Sequence, residues 1–164
     1  MRAGCRFAAI AALIGAFATA ADAAPPRADE RASLLAVAAA ADAAWDAGDA
    51  VGIADVYTPD ATFVLGPGHE VAGREAIRAW FRGYFAERPA GQRLVTRIER
   101  INMLQPGMAL VDGRVRVEQL QPDGTWAPLR EYVNYSLALR DRDRWRLHEV
   151  RAIATAPAQR LASR

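Results

Sequence analysis

Residues 45–74 read WDAGDAVGIADVYTPDATFVLGPGHEVAGR, and the order of signals in this stretch decides the fold. Helical apolar spacing runs out at Trp45, and Gly48 is placed to end that helix in the left-handed conformation that glycine adopts without a Cβ penalty. Asp49 then caps a second, short helix over about Ala50–Val56, with Ile53, Val56 and Tyr57 as its inward face. Because proline disfavours helix at the residue before it, Thr58-Pro59-Asp60 stops this helix and turns the chain. Ala61–Leu65 reads as a strand, Gly66-Pro67-Gly68 as a turn, and Glu70–Ala72 as the return strand of a hairpin. The whole is a helix-to-sheet corner. Its structural residues are Asp49 and Asp60, at a helix end and a turn, and Arg74, whose guanidinium fork suits bracing the corner through carboxylates.

Upstream of the corner, Leu34, Ala38, Ala41 and Trp45 recur at helical spacing, and Leu35 and Val37 widen the stripe. The helical pattern sets in from Glu30, within a tether over residues 25–33. The first 24 residues combine Arg2 and Arg6, an apolar run from Phe7 to Phe17 and small residues ending in Ala23-Ala24, the pattern of a cleaved secretory signal peptide. The run is shorter than the ~20 residues a membrane span needs. Removing these 24 of 164 residues leaves 140, which fits one domain over residues 34–156 with a tail at 157–164. The expected setting is periplasmic or secreted, with no membrane contact after cleavage.

The one cysteine, Cys5, lies in the cleaved segment, so the mature chain has no disulfide, thiolate nucleophile or thiolate metal site. All 21 basic residues are arginine, and without the leader 19 of them face 18 acidic groups. That balance gives no general attraction to nucleic acid.

Downstream, Gly73-Arg74-Glu75 opens a third helix in which Ile77, Trp80, Phe81, Tyr84 and Phe85 form one apolar stripe, read as core. The period then changes to two: strands over Arg93–Leu104, Met108–Gln121, Trp126–Arg140 and Trp145–Ala154, joined by short turns, form an antiparallel meander. Helices first and strands after them make an α+β order.

Ala47-Gly48-Asp49, Tyr57 with Asp60-Ala61-Thr62, Gly73-Arg74-Glu75-Ala76-Ile77 and the last strand opening on Trp145-Arg146-Leu147 together resemble the nuclear-transport-factor-two-like (cystatin-like) superfamily. The likeness is to its SnoaL-like and SgcJ/EcaC-like members. The resemblance implies a cone: a curved, mostly antiparallel sheet packed on about three N-terminal helices around a pocket. It also implies pairing of two copies through the open sheet face. Aligned on the same landmarks, the ketosteroid isomerase pattern puts its oxyanion-donor tyrosine on Ala41 and its general-base aspartate on Leu65, which argues against that chemistry here. The His-x-His pair frequent on the last strand is replaced by Glu149 and Arg151.

The ligand-binding candidates are Trp45, Tyr57, Phe63, Tyr132 and Asn134, which combine apolar bodies with polar tips and suit a small, largely apolar molecule. Tyr132, Asn134 and Ser136 share one face of their strand; Val133, Tyr135, Leu137 and Leu139 share the other. Either row can be the inner one. Tyr132 and His148 are the candidates for acid–base catalysis, His148 because imidazole titrates near neutrality. His69 belongs to an exposed turn, and the alternating Arg140–Arg146 segment to a solvated hairpin tip. With no HExxH or clustered ligands, no metal is expected, and with no phosphate loop or dinucleotide fingerprint no cofactor is expected. Three functions follow: an apolar-ligand binder, an enzyme of the SgcJ/EcaC or polyketide-cyclase kind using the same pocket, or a dimeric assembly module.

Overall fold

The computed structural model describes residues 25–155, so the signal-peptide segment at 1–24 and the tail at 157–164 lie outside the described residues. The elements run α1 (Ala28–Ala47), α2 (Ala50–Asp55), β1 (Tyr57–Leu65), β2 (Glu70–Ala72), α3 (Arg74–Glu87), β3 (Gln92–Gln105), β4 (Met108–Leu120), β5 (Trp126–Asp141) and β6 (Arg144–Ala154). Three helices precede four long strands, giving the expected α+β order. The strands form one sheet in the order β2-β1-β6-β5-β4-β3. The β3–β6 meander is antiparallel, β1 joins β6 in parallel, and β2 folds back on β1.

Two boundaries and one burial assignment differ from the sequence reading. First, α1 begins at Ala28, inside the stretch expected to be a tether, and its first turn is held by Glu30, which accepts from the Arg27 backbone and side chain. Second, Thr58-Pro59-Asp60 is extended and belongs to β1, and Tyr57 opens that strand instead of ending a helix. The proline is accommodated because the pairing of β1 with β6 shifts register between Tyr57 and Thr62, where the missing N–H leaves no gap in the ladder. Third, Leu35 does not widen the buried stripe of α1 and faces solvent.

The caps read from the corner are present. Gly48 is left-handed at φ 67°, and its N–H reaches the Trp45 carbonyl at 3.0 Å. Asp49 Oδ1 accepts from the N–H groups of Val51 and Gly52, each at 3.0 Å. Arg74 braces the corner by a different route from the one expected. Its guanidinium donates to the Tyr57 carbonyl oxygen, with Nε at 2.9 Å, and not to a carboxylate.

Curvature comes from breaks in pairing between Ile98 and Arg100, Val117 and Glu118, and Leu137 and Ala138; such bulges bend and twist a sheet. At Gly113 a Cβ would lie 2.7 Å from the Arg97 carbonyl oxygen, so only glycine lets β3 close over β4 there. The edge strand β3 is covered by α1. Asp42 accepts from the Thr96 N–H at 2.8 Å and hydroxyl at 2.6 Å, and Asp46 accepts from the Leu94 N–H at 2.7 Å. These bonds occupy backbone donors that would otherwise template another strand. The helices therefore close over the concave side of the sheet, and two buried clusters, one around Trp45, Phe63, Ile77 and Phe81 and one around Leu34, Ile101 and Trp145, flank the space between.

Candidate functional site

That space is a cavity of about 390 Å³ bounded by α1, α3 and the concave face of the sheet, within the ~300–1,000 Å³ range of small-molecule sites. The inward stripe of α3 supplies Trp80, Phe81 and Tyr84, and α1 supplies Leu34, Ala38, Ala41 and Trp45. The sheet adds Tyr57, Phe63 and Leu65 from β1 and the row Arg130, Tyr132, Asn134 and Ser136 from β5. The aromatic groups are interlocked: Phe63 meets Trp80 edge-on at 5.4 Å between centroids, and Trp80 stacks on Tyr84 at 5.5 Å. The Arg88 guanidinium covers the far side of Trp45 at 4.1 Å from its ring centre. Walls fixed in this way keep the cavity open without a ligand.

All five ligand-binding candidates, Trp45, Tyr57, Phe63, Tyr132 and Asn134, line this cavity. The polar row of β5 is the inner one. Its apolar counterpart faces out, with Tyr135 47 % exposed. Burial pushes the Tyr57 phenol far above its ordinary pKa, so it can donate a hydrogen bond and does not serve as a phenolate base. Asn134 presents a different problem: its Oδ1 is buried and has no hydrogen-bond partner among the described residues. Rotation about the soft terminal torsion of its side chain turns that amide toward the cavity.

His148 is not among the lining residues. It sits at the break between Leu137 and Ala138, whose partners on β6 are Glu149 and Leu147, so it is the extra residue of a bulge. Its Nδ1 lies 3.0 Å from the Thr58 hydroxyl and 3.5 Å from Asp60. Both contacts use one ring nitrogen, which gives no relay across the ring of the kind a nucleophile–base–acid triad requires. Asp60 is exposed, and the Thr58 hydroxyl, then its own backbone and His148, hold its carboxyl below the usual range. His148 is therefore removed from the catalytic candidates for this cavity. Glu149 and Arg151 point away from the cavity and bind each other at 2.5 Å. His69 is exposed as read.

The Arg140–Arg146 segment is not simply a solvated tip. Arg144 bonds Asp55 of α2 at 3.1 Å, and Arg146, largely buried, bonds the carbonyl and carboxylate of the same residue. Sequence reasoning missed Arg130, Trp80, Tyr84 and Thr96 as cavity residues. Arg130 was readable, since it shares the parity of Tyr132 and Asn134; the α3 aromatics serve as core and wall together. Among the described residues no group of three or more His, Asp and Glu is placed to hold a metal ion.

A family model described as a SnoaL-like domain matches residues 37–153. Among solved structures, a domain of unknown function with a cystatin-like fold from Nostoc punctiforme PCC 73102 is similar at TM-score 0.71 and 19% identity, over 82% of this chain and 83% of that one. A nuclear-transport-factor-two-like protein with a cystatin-like fold from Novosphingobium aromaticivorans matches at TM-score 0.65 and 18% identity, over 80% and 85%. A ketosteroid isomerase-like protein from Erwinia carotovora atroseptica matches at TM-score 0.64 and 16% identity, over 80% and 100%. No curated protein matches the chain. At these identities the structural likenesses show the fold.

Proposed function

Because the chain belongs to the SnoaL-like domain family of nuclear-transport-factor-two-like proteins, we propose that it is an exported protein that binds a small, largely apolar molecule inside the cone. The observation that carries this reading is the preformed cavity of about 390 Å³ whose lining is mostly aromatic and aliphatic, with a short polar row on β5 and Thr96 on β3. Isomerase chemistry of the ketosteroid type is disfavoured by the same lining. Ala41 and Leu65, the positions that would carry its oxyanion donor and its base, both face the cavity and are both apolar. Polar groups of the lining, among them Tyr57, Thr96, Arg130, Tyr132, Asn134 and Ser136, orient a ligand by hydrogen bonds; an enzyme of the SgcJ/EcaC or polyketide-cyclase kind would have to work with Tyr57 or Tyr132 as its acid.

The test is native mass spectrometry of gently purified, signal-cleaved protein, followed by denaturation and analysis of the released small molecules. An Ala41→Trp variant that fills the cavity is examined in parallel. One retained molecule per chain in the wild type, absent from Ala41→Trp, supports the reading. An empty wild-type protein that also fails to bind 2-naphthol saturably sinks it.

A second reading concerns assembly. Tyr135 and Ile153, 47 % and 52 % exposed, lie with Leu110, Val133 and Leu137 on the convex face. Charges are interleaved with them in the strand register, Asp112 and Arg151 beside Tyr135 and Arg114 beside Val133, and these are already paired, Asp112 with Arg100, Arg114 with Glu99 and Glu131, and Arg151 with Glu149. Exposed apolar groups among charges that already have partners leave no unpaired charge to bury on contact, and we propose that two copies pair through this face.

A further inference from the structure

We propose that the occupant of the cone is an amphipathic anion, an apolar body whose carboxylate or comparable acidic group is held at the cavity mouth by Arg130. The proposal rests on the pocket-binding reading and adds the charge and orientation of the ligand.

Among the described residues, Arg130 is the one charged side chain in the lining. Its Nη2 donates to the Tyr84 hydroxyl at 3.0 Å, and Tyr84 is itself a wall residue stacked on Trp80. The guanidinium is thus held over the mouth by a neutral acceptor. It forms no ion pair among the described residues, which leaves its charge uncompensated and four of its five N–H donors free for a bidentate acceptor. Its acidic neighbour in sequence and an acid of α1 that bonds a lining residue are committed elsewhere. Glu131 belongs to the opposite face, bound to Arg114 at 3.1 Å, and Asp42 is spent on Thr96. A single uncompensated cation beside low-dielectric walls makes the mouth attractive to an anion and unattractive to a cation.

The same strand orients the remainder of the ligand. Asn134 lies four residues beyond Arg130 on the same face, about 13 Å along the strand, with Tyr132 between them. An acid at the mouth therefore places an apolar body among Trp45, Phe63 and Trp80. Once the Asn134 amide is turned about its terminal torsion, its oxygen, which has no partner among the described residues, accepts from a hydroxyl or N–H at the far end of that body.

The test uses rigid probes that differ in one group: 2-naphthoate, its neutral isostere 2-naphthamide, and 6-hydroxy-2-naphthoate. Dissociation constants are measured at pH 7 by quenching of tryptophan fluorescence, since Trp45 and Trp80 line the site. The expected result is about fivefold tighter binding of 2-naphthoate than of 2-naphthamide, the upper end for an ion pair at an exposed side chain. That preference shrinks in high salt, falls below about twofold in Arg130→Met, and is restored in part by Arg130→Lys. Near-ultraviolet dichroism checks that each variant is folded. Equal binding of the charged and neutral probes by the wild type overturns the anion assignment while leaving the pocket reading intact. A preference that survives in Arg130→Met overturns the role of that residue. Failure of every probe, with an empty cavity in mass spectrometry, overturns the proposal together with the reading beneath it.

Discussion

Asn134→Leu tests whether the polar row of β5 exists for a ligand or for the fold. In the free protein Asn134 Oδ1 is buried without a hydrogen-bond partner, a state that costs ~1–3 kcal/mol relative to a satisfied oxygen. Leucine has nearly the same shape, removes that cost, and adds apolar surface against the aromatic walls. Asn134 is only partly buried as a residue, so the lower end of the range applies and the variant gains about 1 kcal/mol. In a domain of this size that gain raises Tm by about 3–4 °C. Urea unfolding followed by tryptophan fluorescence, with an unchanged m-value, measures it directly. The same variant loses whatever advantage 6-hydroxy-2-naphthoate holds over 2-naphthoate, because the acceptor for the hydroxyl is gone. Stability gained and affinity lost together are the signature of a polar group retained for function. A variant destabilised by 1 kcal/mol or more would show that the amide holds the sheet, and the ligand argument from Asn134 would fall with it.

Two further perturbations probe the frame around the site. The Asp55 carboxyl is held below its ordinary pKa, desolvation being outweighed by hydrogen bonds and charge from Arg146 and Arg144. Its folded value lies below the unfolded one, so its contribution is full above about pH 4 and is lost as pH falls through the folded value. Asp55→Asn should therefore lower the urea midpoint at pH 7 and flatten its decline between pH 5 and pH 3, whereas parallel pH curves would refute the coupling. At Gly113, Gly113→Ala drives a Cβ to 2.7 Å from the Arg97 carbonyl oxygen; strand separation should cost about 1–3 kcal/mol, and an unchanged midpoint would show that the sheet bends freely there.

The corner was the most legible part of the chain because each of its signals has one local cause. Gly48 and Asp49 act on atoms within four residues of themselves, and they cap the helices as read. Pro59 misled because the rule that it breaks a helix is local, whereas its place in β1 depends on β6, which lies some ninety positions further along the chain. Arg74, Arg144 and Arg146 show the same limit. Their charge could be read, but their acceptors, the Tyr57 carbonyl and Asp55, are neighbours created only by the fold. His148 was read as a residue of a regular strand. The bulge that shifts it off the alternation inserts one residue of β6 between the partners of Leu137 and Ala138 and leaves no mark in composition.

The two faces of β5 carry the deepest ambiguity, because a period of two groups residues by face without saying which face is covered. Counting apolar side chains favours Val133, Tyr135 and Leu137 as the inner row, and the structure places them outside. The inversion is consistent once a cavity intervenes, since Asn134 and Ser136 facing an enclosed space lose less solvation and keep the chance of a partner that they would lack in packed core. An apolar row left outside is the face through which the proposed pairing of two copies would run. The two faces should accordingly respond independently. Tyr135→Glu should convert a dimer into a monomer by light scattering and leave naphthoate affinity within about twofold, because the residues point to opposite sides of the sheet. Asn134→Leu should leave the association state unchanged and remove the advantage of 6-hydroxy-2-naphthoate over 2-naphthoate. Loss of binding in Tyr135→Glu would mean that the convex face shapes the cavity, and the division of labour between the two rows would have to be abandoned.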